Sequence, residues 1–269
     1  LVGSEMCIRD SINGNQIVMI FLNYLMTRNT ELGTLTGNEY IVKTIVTTET
    51  IRTIAEAQHI KMYDCFTGFK WIANVMRENE GKARYLGGGE ESYGFLAEDF
   101  VRDKDSVSAI SLMAEIAAWA KDKGLNMTDM LIDIYMKYGF SREKGISLVR
   151  KGKSGAEEII ALMKQFRENP PKEIAGSPVV TVKDFQSLVE TNVATGETKK
   201  LDMPATSNVL QYYTADRTKV SVRPSGTEPK IKFYIEVHDT LASADEYKAT
   251  EARADEKINR IAKEFGITK

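Results

Sequence analysis

Cysteine is nearly absent from this chain: its 269 residues hold two, Cys7 and Cys65. Two such isolated thiols supply neither a disulfide framework nor a zinc site, and they suit a reducing, cytoplasmic setting. Histidine is as scarce, with His59 and His238 standing alone. Neither has carboxylates or cysteines at ligand spacing, and both read as structural. No charge of one sign accumulates. The 36 Lys and Arg against 38 Asp and Glu leave a net charge of −2, and no basic patch interleaves with aromatics, which argues against a nucleic-acid partner. The longest charge-free apolar stretch, residues 17–26, is far too short to span a membrane. Internal repeats, low-complexity tracts and a nucleotide-binding glycine fingerprint are also missing.

What is present supports a folded protein. Hydrophobic residues make up 42% and charged residues 28%, enough to bury a sizeable core in one or two domains. Residues 1–11 fit no periodicity around them and read as a non-native leader. Beyond them, residues 15–28 carry apolar side chains at helical spacing, 40–46 form a β-branched strand, 50–58 a helix opened by a Thr/Glu cap, 60–66 a strand and 69–79 a helix. A third strand, 83–86, ends at three glycines; Asp105 then caps a helix to about Lys121, and Thr128 caps another to Tyr138. This alternation predicts a parallel sheet with helices on both faces, an α/β/α domain over residues 12–150. Residues 151–155, small and basic, suit a solvated hinge and, on charge alone, a phosphate. A helix over 156–167 stops before Pro170-Pro171, strands follow at 179–182, 209–214, 219–222 and 230–237, and a charged amphipathic helix covers 243–265. They predict a smaller α+β domain with a mostly antiparallel sheet over residues 151–269.

Two loops carry the chemistry. Arg223-Pro224-Ser225-Gly226-Thr227-Glu228-Pro229 joins two alternating strands and is pinned by its prolines and glycine. The Arg223 guanidinium is a planar fork suited to two phosphate oxygens, Ser225 and Thr227 add hydroxyls, and Gly226 lets backbone N–H groups approach closely. The other reading is an ordinary hairpin loop in which Arg223 pairs with Glu228. Gly87-Gly88-Gly89-Glu90-Glu91-Ser92-Tyr93-Gly94 follows the third strand, at the carboxyl edge where open α/β sheets place ligands. Its glycines allow a sharp turn there. Ionised carboxylates only accept hydrogen bonds, so Glu90 with Ser92 suits sugar hydroxyls and would repel a phosphate. The alternative is a flexible turn with solvated glutamates.

In these two loops the chain resembles the α-D-phosphohexomutase superfamily, the phosphoglucomutases and phosphomannomutases, from about Asn13 to the C-terminus. The resemblance implies that Glu90 and Ser92 grip a hexose phosphate through its sugar, and that Arg223, Ser225, Gly226 and Thr227 bind its phosphate. Thr67-Gly68-Phe69-Lys70 is similar to the family segment facing the sugar, which adds Thr67, Gly68 and Lys70. Arg102-Asp103-Lys104-Asp105 resembles the stretch whose lysine is a proposed proton carrier. Lys104 facing other cations would have a lowered pKa and could act as acid and base; otherwise it is a surface cation beside Asp103 and Asp105. Asn13-Gly14-Asn15-Gln16 resembles the passage from the family's second domain to its third, so the chain is similar to domains III and IV, with domains I and II as missing partners. The family's Thr-Ala-Ser-His-Asn-Pro phosphoserine loop and its magnesium-binding Asp-x-Asp-x-Asp loop occur nowhere in the 269 residues. The resemblance thus implies Mg2+ and glucose 1,6-bisphosphate for a full-length enzyme, no metal ligands here, and no catalysis by this chain alone. Tyr93-Gly94-Phe95 stands where some phosphomannomutases carry a histidine. That difference tilts the expected activity towards interconversion of glucose 1-phosphate and glucose 6-phosphate. A phosphomannomutase, a phosphoglucosamine mutase and a non-catalytic sugar-phosphate module stay open.

Overall fold

A computed structural model describes residues 12–150, 152–226 and 228–267. The expected leader and Thr227 lie outside the described residues. The chain divides into two compact units between Ile134 and Tyr135.

The first unit begins with α1 (Gly14–Glu31), opened by a capping box: Asn13 accepts from the Gln16 N–H at 3.0 Å, and the Gln16 side chain accepts from the Asn13 N–H at 2.9 Å. β1 (Glu39–Thr44), α2 (Thr50–Ala57), β2 (Lys61–Cys65), α3 (Phe69–Asn79), β3 (Arg84–Gly89), β4 (Phe95–Ala97), α4 (Ser106–Asp122) and α5 (Met127–Tyr138) follow. The sheet order is β2-β1-β3-β4, parallel across its first three strands and closed by the antiparallel edge strand β4. Alternate residues of each strand serve opposite faces. Tyr40, Val42, Cys65 and Tyr85 form one core with Phe69, Ile72, Val75 and Met76 of α3, while the other face of β3 meets α1. The glycine triplet lies inside β3 and continues the strand rather than turning out of it. A Cβ on Gly89 would stand 2.6 Å from Val18 Cγ2 of α1, and one on Gly88 2.6 Å from the Val42 carbonyl oxygen. The glycines are there because helix and neighbouring strand come too close for any side chain.

The cap of α4 is the expected one: Asp105 accepts the Ser108 N–H at 2.8 Å, and that bond holds its carboxyl below the ordinary value. The α5 cap is not. Asn126 Oδ1 accepts the N–H groups of Thr128 and Asp129 at 2.8 and 3.1 Å, leaving Thr128 within the first turn. Nor does α2 show the expected Thr/Glu cap; Glu49 precedes it without a side-chain capping bond. Among the described residues no helix is long and apolar enough to cross a membrane.

The second unit contains β5 (Phe140–Val149), α6 (Gly152–Glu168), β6 (Glu173–Ile174), β7 (Ser177–Asp184), β8 (Val189–Asn192), β9 (Thr198–Lys200), β10 (Leu210–Thr214), β11 (Lys219–Pro224), β12 (Lys230–Asp239) and α7 (Tyr247–Glu264). Its sheet is antiparallel throughout, in the order β5-β12-β11-β10-β7-β8-β9. Val220, Val222, Ile231, Phe233 and Ile235 make its apolar face, on which Phe166 of α6 and Phe265 after α7 each lie 6.0 Å from the Phe233 ring. The boundary expected at 150/151 is corrected. Residues 140–149 pair with β12 along their whole length, so they belong to the second sheet, and residues 152–155 of the expected hinge already lie in α6.

Candidate functional site

At one edge of the first sheet, β1 ends at Thr44, β2 at Cys65 and β3 at Gly89. Gly68 follows β2 with φ +107°, a backbone region that glycine enters without steric cost, and its N–H donates to Glu90 Oε1 at 2.8 Å. Glu90 is 7% exposed. One carboxylate oxygen, expected to be available for a sugar, is therefore committed to joining the 67–68 segment to the 90–94 loop, as a charge-assisted bond. The loop closes on itself through Glu90 N–H to the Gly94 carbonyl at 2.8 Å and Tyr93 N–H to the Glu90 carbonyl at 3.2 Å. Beneath it lies the start of α1: a Cβ on Gly14 would fall 2.0 Å from the Glu91 carbonyl oxygen. Thr44 Oγ1 donates to Glu91 Oε2 at 3.3 Å, and Asn15 Oδ1 accepts the Thr48 N–H at 2.9 Å. The helix start, the turn after β1 and the 90–94 loop form one hydrogen-bonded frame.

The other expected residues of this unit fall around that frame. Ser92 is exposed and Thr67 half-buried. Lys70 is exposed, with its ammonium 5.2 Å from the Trp71 ring. Lys104 passes close to Gly94, its Cδ 3.2 Å from where a Cβ on that glycine would sit, and its Nζ is 5.7 Å from the Phe69 ring. The charge beside it is Asp103 Oδ1 at 3.3 Å rather than another cation. The sequence reading missed an ion cluster at the same edge. Lys43 is 0% exposed in its side chain and lies 2.9 Å from both Glu49 and Asp64, which Arg52 also pairs. A lysine inside the β-branched run 40–46 was the available signal, since an unpaired ammonium would be costly there.

In the second unit, the bland pairing of Arg223 with Glu228 does not occur. Glu228 pairs with Lys230, whose hydrogen bond and charge hold the Glu228 carboxyl below its ordinary value. Arg223 stands directly opposite Lys232 in the β11–β12 register, and the nearby charge of Lys232 adds to the lowering of the Glu228 carboxyl. Ser225 N–H donates to the Lys230 carbonyl at 2.8 Å, and Glu228 N–H to Ser225 Oγ at 3.4 Å. Gly226 is exposed, with nothing within 4 Å of the place a Cβ would take. His238 is not as solitary as its sequence suggested. Glu236, on the same strand face, lies 3.1 Å from its Nε2 and 2.8 Å from Lys219 Nζ in a buried cluster.

Residues 13–138 match the family model for phosphoglucomutase/phosphomannomutase, alpha/beta/alpha domain III, and residues 162–254 match that for the C-terminal domain. The chain belongs to the phosphoglucomutase/phosphomannomutase family. It is 35% identical over 223 residues to a Staphylococcus epidermidis phosphoglucomutase, covering 83% of this chain and 40% of that protein. A Staphylococcus haemolyticus phosphoglucomutase is 32% identical over 225 residues, covering 84% and 40%. Among solved structures, the Paramecium phosphoglucomutase pp63/parafusin aligns with a TM-score of 0.55 at 15% identity, covering 94% of this chain and 42% of that one. A phosphoglucomutase/phosphomannomutase family protein from Burkholderia thailandensis gives 0.53 at 17%, covering 95% and 42%. The chain thus spans about 40% of the length of the curated relatives it matches. The 90–94 loop falls within the domain III match of the phosphohexomutases and residues 223–228 within the C-terminal-domain match. Magnesium, which the resemblance implies, finds no donor set here: among the described residues no group of three or more His, Cys, Asp or Glu is placed to hold a metal ion.

Proposed function

We propose that this chain is the sugar-phosphate-recognising portion of a cytoplasmic phosphoglucomutase that interconverts glucose 1-phosphate and glucose 6-phosphate through glucose 1,6-bisphosphate. The observation that carries the reading is the Arg223–Lys232 pair. Like charges directly opposite in a sheet repel, and Glu228, the carboxylate whose charge interacts with Lys232, is itself paired with Lys230. A phosphate relieves that repulsion, and the Arg223 fork suits it bidentately, with Ser225, Gly226 and Thr227 adding donors.

In the first unit, the second Glu90 oxygen and Ser92 recognise sugar hydroxyls, while Thr67, Gly68 and Lys70 line the approach. Fixing Glu90 by the Gly68 N–H orients the carboxylate before substrate arrives, so less ordering is lost on binding. Lys104, beside Gly94, is the candidate to deliver a proton to the sugar oxygen that releases its phosphate and to recover one in the return step. The relatives' phosphoglucomutase names and the absence of a histidine after the Glu-Ser pair favour glucose.

Titration with glucose 1-phosphate and, separately, inorganic phosphate tests the division of labour. Arg223→Lys keeps the charge and loses the fork, so both ligands should weaken by about 1 to 3 kcal/mol. Glu90→Gln should weaken glucose 1-phosphate alone. Unchanged affinity in Arg223→Lys, or equal losses of both ligands in Glu90→Gln, overturns the reading.

A further inference from the structure

Tyr93 is out of keeping with its place in the 90–94 loop. Its φ is +73°, a region where a bulky non-glycine residue is an outlier, and the residue is 61% exposed. The backbone geometry has a clear cause. Tyr93 N–H bonds the Glu90 carbonyl and the Glu90 N–H bonds the Gly94 carbonyl, while Gly14 fixes the loop from below, a Cβ there falling 3.0 Å from Tyr93 N. That turn asks for a positive φ, which glycine supplies most readily. The side chain has no such cause: among the described residues no hydrogen bond or ring contact holds it. Among the described residues neither a hydrogen bond nor a ring stack accounts for an aromatic side chain at this exposed position.

What the ring does have is a location. It follows Ser92 in a loop closed by hydrogen bonds to Glu90, with Lys104 passing by Gly94. Resting on the reading of this loop as a sugar site, we propose that Tyr93 is a sugar-contacting residue whose ring offers a platform for the C–H face of a gluco-configured hexose phosphate. A pyranose with equatorial hydroxyls has a polar rim and an apolar face. Acceptors such as Glu90 and Ser92 satisfy the rim, and an exposed aromatic ring removes the face from water. Backbone strain at a largely exposed residue that no hydrogen bond or ring contact holds is what a functional constraint leaves behind.

The test titrates the 269-residue chain, as wild type, Tyr93→Gly and Tyr93→Phe, with glucose 1-phosphate and with inorganic phosphate, and records the thermal midpoint of each. Tyr93→Gly should bind glucose 1-phosphate about 3- to 10-fold more weakly, the scale of a lost aromatic contact. Its phosphate affinity should be unchanged and its midpoint equal or higher. Tyr93→Phe should stay within about twofold for both ligands, since the ring and not the hydroxyl makes the platform. Wild-type affinity for glucose 1-phosphate in Tyr93→Gly overturns the inference, as does a Tyr93→Phe loss matching that of glycine, or a fall in the Tyr93→Gly midpoint. A wild-type chain that binds glucose 1-phosphate no better than inorganic phosphate overturns the sugar-site reading itself, whatever the variants do.

Discussion

A Cβ placed on Gly14 would stand 2.0 Å from the carbonyl oxygen of Glu91 and 2.7 Å from its carbonyl carbon, and backbone atoms on both sides leave no flexible side chain to yield. Gly14→Ala should therefore cost about 1 to 3 kcal/mol through overpacking, visible as a lowered urea midpoint, and should weaken glucose 1-phosphate by displacing the loop. Gly145→Ala is the control, because nothing lies within 4 Å of its Cβ position and its φ is not positive. Equal stability of the two variants would mean that the loop is not pinned by α1. The sequence reading placed the Glu90 loop at the correct sheet edge yet attached the wrong physics to its glycines. Composition shows that glycine is permissive; only the packed helix shows that Gly88 and Gly89 serve close approach rather than turning. Glu90 was legible as a carboxylate at the strand's carboxyl edge, but its burial and its bond to Gly68, which joins segments distant in the chain, are encoded by no local pattern.

Among the elements, the turn between β10 and β11 has the clearest pH signature. Asp216 accepts from Thr214 Oγ1 at 2.6 Å, Thr218 Oγ1 at 2.9 Å and Lys257 Nζ of α7 at 2.6 Å. Burial alone would raise its carboxyl; these hydrogen bonds outweigh that and hold it well below the usual carboxylate range. A depressed folded-state pKa stabilises above the unfolded value of about 3.9 and loses that contribution as pH falls towards the folded value. Asp216→Asn should thus lower the midpoint of the second unit at pH 7 by an amount equivalent to about 1 to 2 kcal/mol, the partly exposed position discounting the ion pair. The difference from wild type should shrink below about pH 4. A pH-independent difference between the two proteins would assign the effect to shape rather than charge. Elements with a strong local signal were legible: α3 matches its expected span, and α4 begins at the capping Asp105. β5 was not, because Ser141-Arg142-Glu143-Lys144-Gly145 reads as polar loop. Its place as an edge strand comes from pairing with β12, and its charges are answered from α7, where Asp255 and Glu251 lie 2.9 Å from Arg142. Missing that strand is what moved the expected domain boundary to residue 150.

For the molecule as a whole, the decisive quantity is what these residues leave undone. Each unit has its own sheet and its own buried core, so the chain should fold cooperatively and bind sugar phosphate. Phosphoryl transfer, however, needs a group that carries the phosphoryl unit and charge to stabilise its three oxygens. The serine and triple-aspartate motifs that the resemblance implies for a full-length enzyme do not occur in the 269 residues. Nor do the described residues gather carboxylates or imidazoles into a set able to hold magnesium. On the proposed reading Arg223, Glu90 and Ser92 position a substrate, and positioning without a phosphoryl carrier would lower no barrier of this reaction. The expected result is therefore binding without turnover. A coupled assay for glucose 6-phosphate formation from glucose 1-phosphate, with magnesium and glucose 1,6-bisphosphate supplied, should give no rate above background with the purified chain. A protein extended by the family's first two domains should turn over under the same conditions. Sustained turnover by the isolated chain would place the phosphoryl carrier among these residues and overturn the assignment of recognition alone to them.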